Sequence, residues 1–152
     1  MGRGDDRARR VDGDGPRRER EVTRIATCQC GQLSLACDGE PARVSVCHCL
    51  DCQKRSGAPF AAQARFPAEQ VTVSGTDKVW ERTAESGNTS EHHFCPECGS
   101  EVWYVARPFL EMMAIPVGRF ADPEFPPPEY SVYEVRRHPW VAVVGEGIEH
   151  YD

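Results

Sequence analysis

Cys28-Gln29-Cys30-Gly31-Gln32-Leu33-Ser34-Leu35-Ala36-Cys37 sets a tight pair of thiols directly ahead of an alternating apolar run. From Gly31 to Cys37 the residues Leu33, Leu35 and Cys37 share one face of a period-two pattern, which predicts a half-buried β-strand. Working outward, the same period predicts strands over 43–47, 60–66, 70–74, 78–83, 90–94, 101–105, 111–116 and 130–135. Asp38-Gly39, Gly75-Thr76-Asp77, Ser86-Gly87-Asn88 and Asp122-Pro123 punctuate them as turns. One short helix is expected from Leu50 to Ser56, closed by Gly57. Phe125-Pro126-Pro127-Pro128 reads as extended loop, because consecutive prolines cannot join a ladder. Many short strands with frequent turns predict a mainly β, mainly antiparallel domain over 22–152.

Residues 1–21 differ in kind. They hold seven Arg, six Asp or Glu, four Gly and one Pro, with Met1, Ala8 and Val11 as the apolar residues. That composition cannot offset the entropy of ordering the chain, so a disordered charged tail is expected there. The tail has no apolar h-region, so no secretory signal is expected, and no apolar run reaches the length of a membrane span. The expected location is cytoplasmic, where thiols stay available for metal. Residues 22–152 carry 11 basic and 18 acidic side chains. A body this acidic lacks the footprint of a nucleic-acid binder. Nothing in the sequence specifies an oligomeric state.

Seven of the eight cysteines fall into three clusters: Cys28 with Cys30, Cys47 with Cys49 and Cys52, and Cys95 with Cys98. Clusters this tight suit convergence on metal better than disulfide stapling. Cys28-x-Cys30-Gly31 and Cys95-x-x-Cys98-Gly99 together supply four thiolates, the ligand set of a closed structural zinc site. Cys47-His48-Cys49-Leu50-Asp51-Cys52 supplies three, one short of a closed site, and an open coordination position is the usual arrangement for chemistry. An incoming thiol would complete the set and be deprotonated there. Lys54 and Arg55 follow at once as candidate substrate-binding cations, although exposed solvated bases are the ordinary reading of such residues. An eighth ligand would close this site instead. Cys37, His48, His92 and His93 are the candidates; the alternation turns Cys37 to the core, and core or surface roles are the ordinary reading of the histidines. Trp80, Trp103, Phe94 and Tyr104 are read as core aromatics.

With these motifs assembled, the chain resembles the glutathione-dependent formaldehyde-activating enzyme family, also called the centromere protein V-like family. The resemblance is carried by Cys28-Gln29-Cys30-Gly31, by Cys47-His48-Cys49-Leu50-Asp51-Cys52-Gln53-Lys54-Arg55-Ser56-Gly57 and by Phe94-Cys95-Pro96-Glu97-Cys98-Gly99-Ser100. Gly118-Arg119-Phe120-Ala121-Asp122-Pro123 and His138-Pro139-Trp140-Val141 extend it, so that it covers about residues 22–152. Gln53 departs from the pattern, standing where members often carry a basic residue. The resemblance implies twisted β-sheets around zinc knuckles, with one short helix after the three-cysteine motif. It implies two zinc ions: a structural one on Cys28, Cys30, Cys95 and Cys98, and a second on Cys47, Cys49 and Cys52, where glutathione binds. The implied activity is that of a carbon–sulfur lyase or synthase interconverting glutathione plus formaldehyde with S-hydroxymethylglutathione. No catalytic residue beyond the open site is assigned from the sequence. A thiol-binding carrier without turnover and a structural zinc module for protein contacts remain open alternatives.

Overall fold

A computed structural model describes residues 22–84 and 87–152. The expected 1–21 tail lies outside the described residues. The chain runs β1 (Thr23–Thr27), β2 (Ser34–Asp38), β3 (Arg43–Cys47), α1 (Leu50–Ser56), β4 (Ala61–Pro67), β5 (Val71–Ser74) and β6 (Lys78–Thr83). It continues with β7 (Thr89–Phe94), β8 (Glu101–Ala106), β9 (Phe109–Pro116), β10 (Tyr130–Val132) and β11 (Glu149–His150). Short 3-10 turns cover Ala68–Gln70, Val117–Phe120 and Glu134–Arg136.

Two sheets result. The smaller has the order β1-β2-β5 and is antiparallel throughout. The larger has eight strands in the order β11-β10-β3-β4-β9-β8-β7-β6. Sequence alternation predicted the antiparallel part; β10, however, runs parallel to both β3 and β11, so the large sheet is mixed. Parallel pairing needs a long crossover rather than a tight turn, and the stretch from β9 to β10, with Phe125-Pro126-Pro127-Pro128 in it, supplies that connection. The strand expected over 130–135 stops at Val132 because Tyr133 takes a left-handed conformation, φ 57°, and hands over to the 3-10 turn.

The core lies between the sheets. Leu33, Leu35 and Cys37, the alternating face of the 31–37 run, are fully buried with Ala26 on the small sheet. Val44, Ala64, Phe66, Val102, Met113 and Ile115 meet them from the large sheet, and Phe120 and Phe125 stack at 4.5 Å beside them. Each fully buried Leu, Ile or Phe contributes about 1.5–3 kcal/mol relative to exposure, so this layer is the main source of sheet-to-sheet adhesion. Cys37 belongs to it as a small hydrophobe.

The β5–β6 turn is fitted to the small sheet at one point. Gly75 has φ +99°, and a Cβ there would lie 1.9 Å from the Gln32 carbonyl oxygen. Gln32 in turn donates through Nε2 to Thr76 O at 2.7 Å and to Cys95 Sγ at 2.9 Å. Gly75→Ala is therefore expected to push Gln32 away from both partners and to cost about 2–4 kcal/mol in urea unfolding. A loss below about 0.5 kcal/mol, the range of an ordinary surface change, would show that the turn is not held against Gln32.

Candidate functional site

The four-cysteine site is built from two hairpin ends of the same form. Between β1 and β2, Cys28 N donates to Leu33 O at 2.9 Å and Gly31 N donates to Cys28 O at 3.2 Å, with Gly31 at φ +84°. Between β7 and β8, Cys95 N donates to Ser100 O and Gly99 N to Cys95 O, at 2.9 and 2.8 Å, with Gly99 at φ +76°. The positive φ of each glycine lets the backbone curl under the sulfurs without a Cβ in the way. Because β1–β2 belongs to the small sheet and β7–β8 to the large one, the site ties the two sheets together.

The sulfurs of Cys28, Cys30, Cys95 and Cys98 all lie within 4.8 Å of one another, with Cys28–Cys30 at 3.6 Å and Cys30–Cys95 at 3.7 Å. The edge of a sulfur tetrahedron around zinc is about 3.8 Å, given a Zn–S bond of ~2.3 Å. Donors also point at the sulfurs, Leu33 N to Cys28 Sγ at 3.3 Å and Gln32 Nε2 to Cys95 Sγ at 2.9 Å, as thiolate ligands require. The Ser100 hydroxyl, 3.3 Å from Cys98 Sγ, together with backbone donors brings that thiol down to about 5. Spacing and donor chemistry both fit a four-thiolate metal site.

The three-cysteine group, Cys47, Cys49 and Cys52, is equally convergent, its sulfurs within the same 4.8 Å limit. β3 ends on buried Cys47, and Cys49 caps α1, its sulfur accepting from Cys52 N at 3.4 Å. Gly57 closes the helix at φ 68°, as the sequence predicts. Hydrogen bonds from the Cys47 and Cys49 thiols, and the Arg55 guanidinium, bring Cys52 down to about 5 against its burial. Cys47 moves the opposite way, raised by its hydrogen bond with Cys52 and by burial.

Cys49 and Cys52 lie in the wall of a cavity of about 690 Å³ between α1 and strands β6, β7 and β8. Lys54, exposed on α1, and Arg55 line the same cavity. Arg55 is largely engaged: it pairs with Glu101, donates to Gln63 Oε1 at 3.1 Å, sits 4.0 Å from Cys52 Sγ and lies over the Tyr104 ring at 4.8 Å. Its charge is spent on shaping the Cys52 side of the site, leaving Lys54 as the more solvent-facing cation.

None of the four candidate eighth ligands joins the three sulfurs among the described residues. Cys37 is in the core. His48, between two of the sulfurs in sequence, turns its Nε2 to Ser131 Oγ at 3.1 Å. His92 pairs with Glu101, and His93 with Asp77 at 2.6 Å while stacking on Trp103 at 4.2 Å. Gln53 donates to His48 O and Arg136 O, at 2.8 and 3.0 Å, and accepts from His138 Nε2 at 2.8 Å. It fastens the cysteine helix to the segment after β10.

The aromatic assignment needs correction. Trp103 is core, but Trp80 is 54% exposed, and it lines the cavity with Phe94 and Tyr104. Trp80, His92 and Tyr104 form one cross-strand row, paired in register across β6, β7 and β8. Arg82, Ser90 and Glu101 complete that wall and were not singled out in the sequence. The available signal was the alternation itself: Trp80 and Arg82 share one face of β6, and Ser90, His92 and Phe94 share one face of β7. Faces mixing aromatics with charge are poor core and good cavity wall.

A solved structure of a Rhodobacter sphaeroides protein is similar at 21% identity, over 62% of this chain and 85% of that one, with a TM-score of 0.47. Among the described residues, no helix is long and apolar enough to cross a membrane. The family model described as glutathione-dependent formaldehyde-activating enzyme matches residues 23–136, and the chain belongs to that family.

Proposed function

We propose that the protein is a zinc-dependent carbon–sulfur lyase or synthase that interconverts glutathione and formaldehyde with S-hydroxymethylglutathione. Supporting this reading above all is the cavity: two of the three clustered sulfurs, Cys49 and Cys52, form part of a wall that also carries basic and aromatic side chains. Zinc, when bound by Cys47, Cys49 and Cys52, would supply a Lewis acid that keeps a substrate sulfur as thiolate.

The chain's own residues do the rest. Cys49, as the helix cap, and Cys52, one turn into α1, fix two sulfurs against a rigid element. Lys54 takes a carboxylate of the thiol substrate at the rim. Arg55 stays with Glu101 and Cys52, offsetting the thiolate charge rather than gripping substrate. Trp80 and Tyr104 give the aldehyde carbon an apolar wall and shed water from it. The gain over the spontaneous reaction is then mainly proximity and orientation. Seven cysteines converge in two groups suited to metal, and a reducing compartment keeps such thiolates available, so we place the protein in the cytoplasm.

Two-dimensional exchange NMR between formaldehyde hydrate and its glutathione adduct tests this. The zinc-loaded protein is expected to raise the exchange rate in proportion to its concentration and to carry two zinc equivalents. Unchanged exchange at saturating protein would reduce the site to a thiol carrier. One zinc equivalent would remove the open-site chemistry altogether.

A further inference from the structure

β7 brings polar side chains of the cavity into one hydrogen-bonded line. Ser90 and His92 are two residues apart on a strand, so both turn to the same face, and Ser90 Oγ lies 2.8 Å from His92 Nε2. On the far side of the ring, His92 Nδ1 lies 3.0 Å from Glu101 Oε2. The ring is only 5% exposed, stacked on Tyr104 at 5.3 Å and beside Trp80 at 5.5 Å. An ionised carboxylate only accepts, so the nitrogen facing Glu101 carries the proton. In the neutral ring Nε2 is then a lone pair, and the Ser90 hydroxyl donates to it. A buried histidine satisfied on both sides is common in cores. This one differs because the serine, the imidazole and the carboxylate all line the cavity that holds Cys49 and Cys52.

We propose that Ser90, His92 and Glu101 are the proton relay of the carbon–sulfur reaction, with Ser90 and His92 moving the proton of the adduct hydroxyl and Glu101 positioning the ring. This rests on the lyase reading given above. In the cleavage direction, the adduct O–H proton passes to Ser90 Oγ while the serine's own proton moves to His92 Nε2. The oxygen's electron pair forms the C=O bond, the C–S bond breaks, and its pair leaves on sulfur. The products are formaldehyde and glutathione thiolate, with one proton held on an imidazolium facing Glu101. In the synthetic direction the same proton returns to the aldehyde oxygen as sulfur adds to carbon. No oxidant or further reactant is needed. The geometry matches the orientation logic of other serine–histidine–carboxylate groups, in which the acid fixes the tautomer and the imidazole exchanges the proton.

The test uses the zinc-loaded protein with His92→Gln and Ser90→Ala, reading exchange rate, glutathione affinity and zinc content together. General acid–base catalysis by a placed group is worth about 10²–10⁴, so His92→Gln is expected to slow exchange by about a hundredfold or more. Ser90→Ala is expected to slow it by about tenfold or more, since water can replace a hydroxyl in a relay. Affinity and two zinc equivalents are expected to remain. A second readout needs no variant: ¹⁵N NMR of the wild type should show His92 as the Nδ1–H tautomer. Wild-type rates in both variants, or an Nε2–H tautomer, would overturn the relay while leaving the lyase reading intact. Parallel loss of affinity or zinc would mark a structural role and also overturn it. A wild-type protein that fails to accelerate exchange would overturn the reaction and the relay with it.

Discussion

Cys98→Ser is expected to abolish cooperative folding, although Cys98 itself is exposed. An exposed side chain replaced by a near-isostere ordinarily changes stability by no more than about 0.5 kcal/mol. Here the sulfur is one of four that join the β1–β2 hairpin end to the β7–β8 hairpin end, and so one sheet to the other. Structural zinc in zinc-finger peptides binds with an apparent free energy of about 10–16 kcal/mol at neutral pH, and whole domains are stable by about 5–15 kcal/mol. With zinc on these four sulfurs, losing the site would remove an amount comparable to the entire stability. Three thiols would also be left convergent without a metal, two of them, Cys28 and Cys95, buried. Far-ultraviolet circular dichroism with urea titration, beside zinc analysis, checks this. A variant with the wild-type midpoint and two zinc equivalents would show that the four-cysteine group is not what holds the sheets. A strong chelator added to the wild type should reproduce the variant's behaviour.

How far the sequence revealed the molecule depended on whether the physics was local. Arg43–Cys47, Lys78–Thr83 and Leu50–Ser56 were legible to the residue, because strand patterning and the closing Gly57 act over a few positions. The two sulfur groups were legible from spacing and ligand count, since knuckle geometry is fixed by four or five residues. The pairing of β10 beside β3 was not, because Tyr130 meets Ser45 across 85 positions and nothing local to either strand names the other. Strand β1 was hidden as well, its Ile25 lying 52% exposed while Ala26 alone is buried. Trp80 departs from the core expectation for a related reason. A large aromatic on an alternating strand suggests core, and only the tertiary placement of β6 at the sheet edge turns that face to the cavity. The polar wall of the cavity comes from three strands and a helix, and no sequence window contains them all.

The second large effect separates function from fold. Cys49→Ser is expected to remain folded while losing one zinc equivalent and at least about a hundredfold in glutathione affinity, more than the usual cost of altering a group behind a metal ligand. Folding should survive because Cys49 sits at the cap of α1, and serine is among the best residues there; its hydroxyl can take over the bond from Cys52 N. The expected stability change is within about 1 kcal/mol. The helix is further secured from its other side, by Gln53 to His48, Arg136 and His138, and by the pairing of Cys47 with Val132 and Ala61 in the sheet. None of those bonds passes through Cys49. The cavity, by contrast, keeps only one of its two wall sulfurs, and the remaining pair cannot hold a divalent ion as three thiolates would. Exchange between formaldehyde and its glutathione adduct should fall to the uncatalysed rate. If Cys49→Ser instead unfolds as Cys98→Ser does, the three-sulfur group is a second structural staple. If it folds and still accelerates exchange, the chemistry lies elsewhere in the cavity, and the coordination position beside Cys49 is not where the thiol binds.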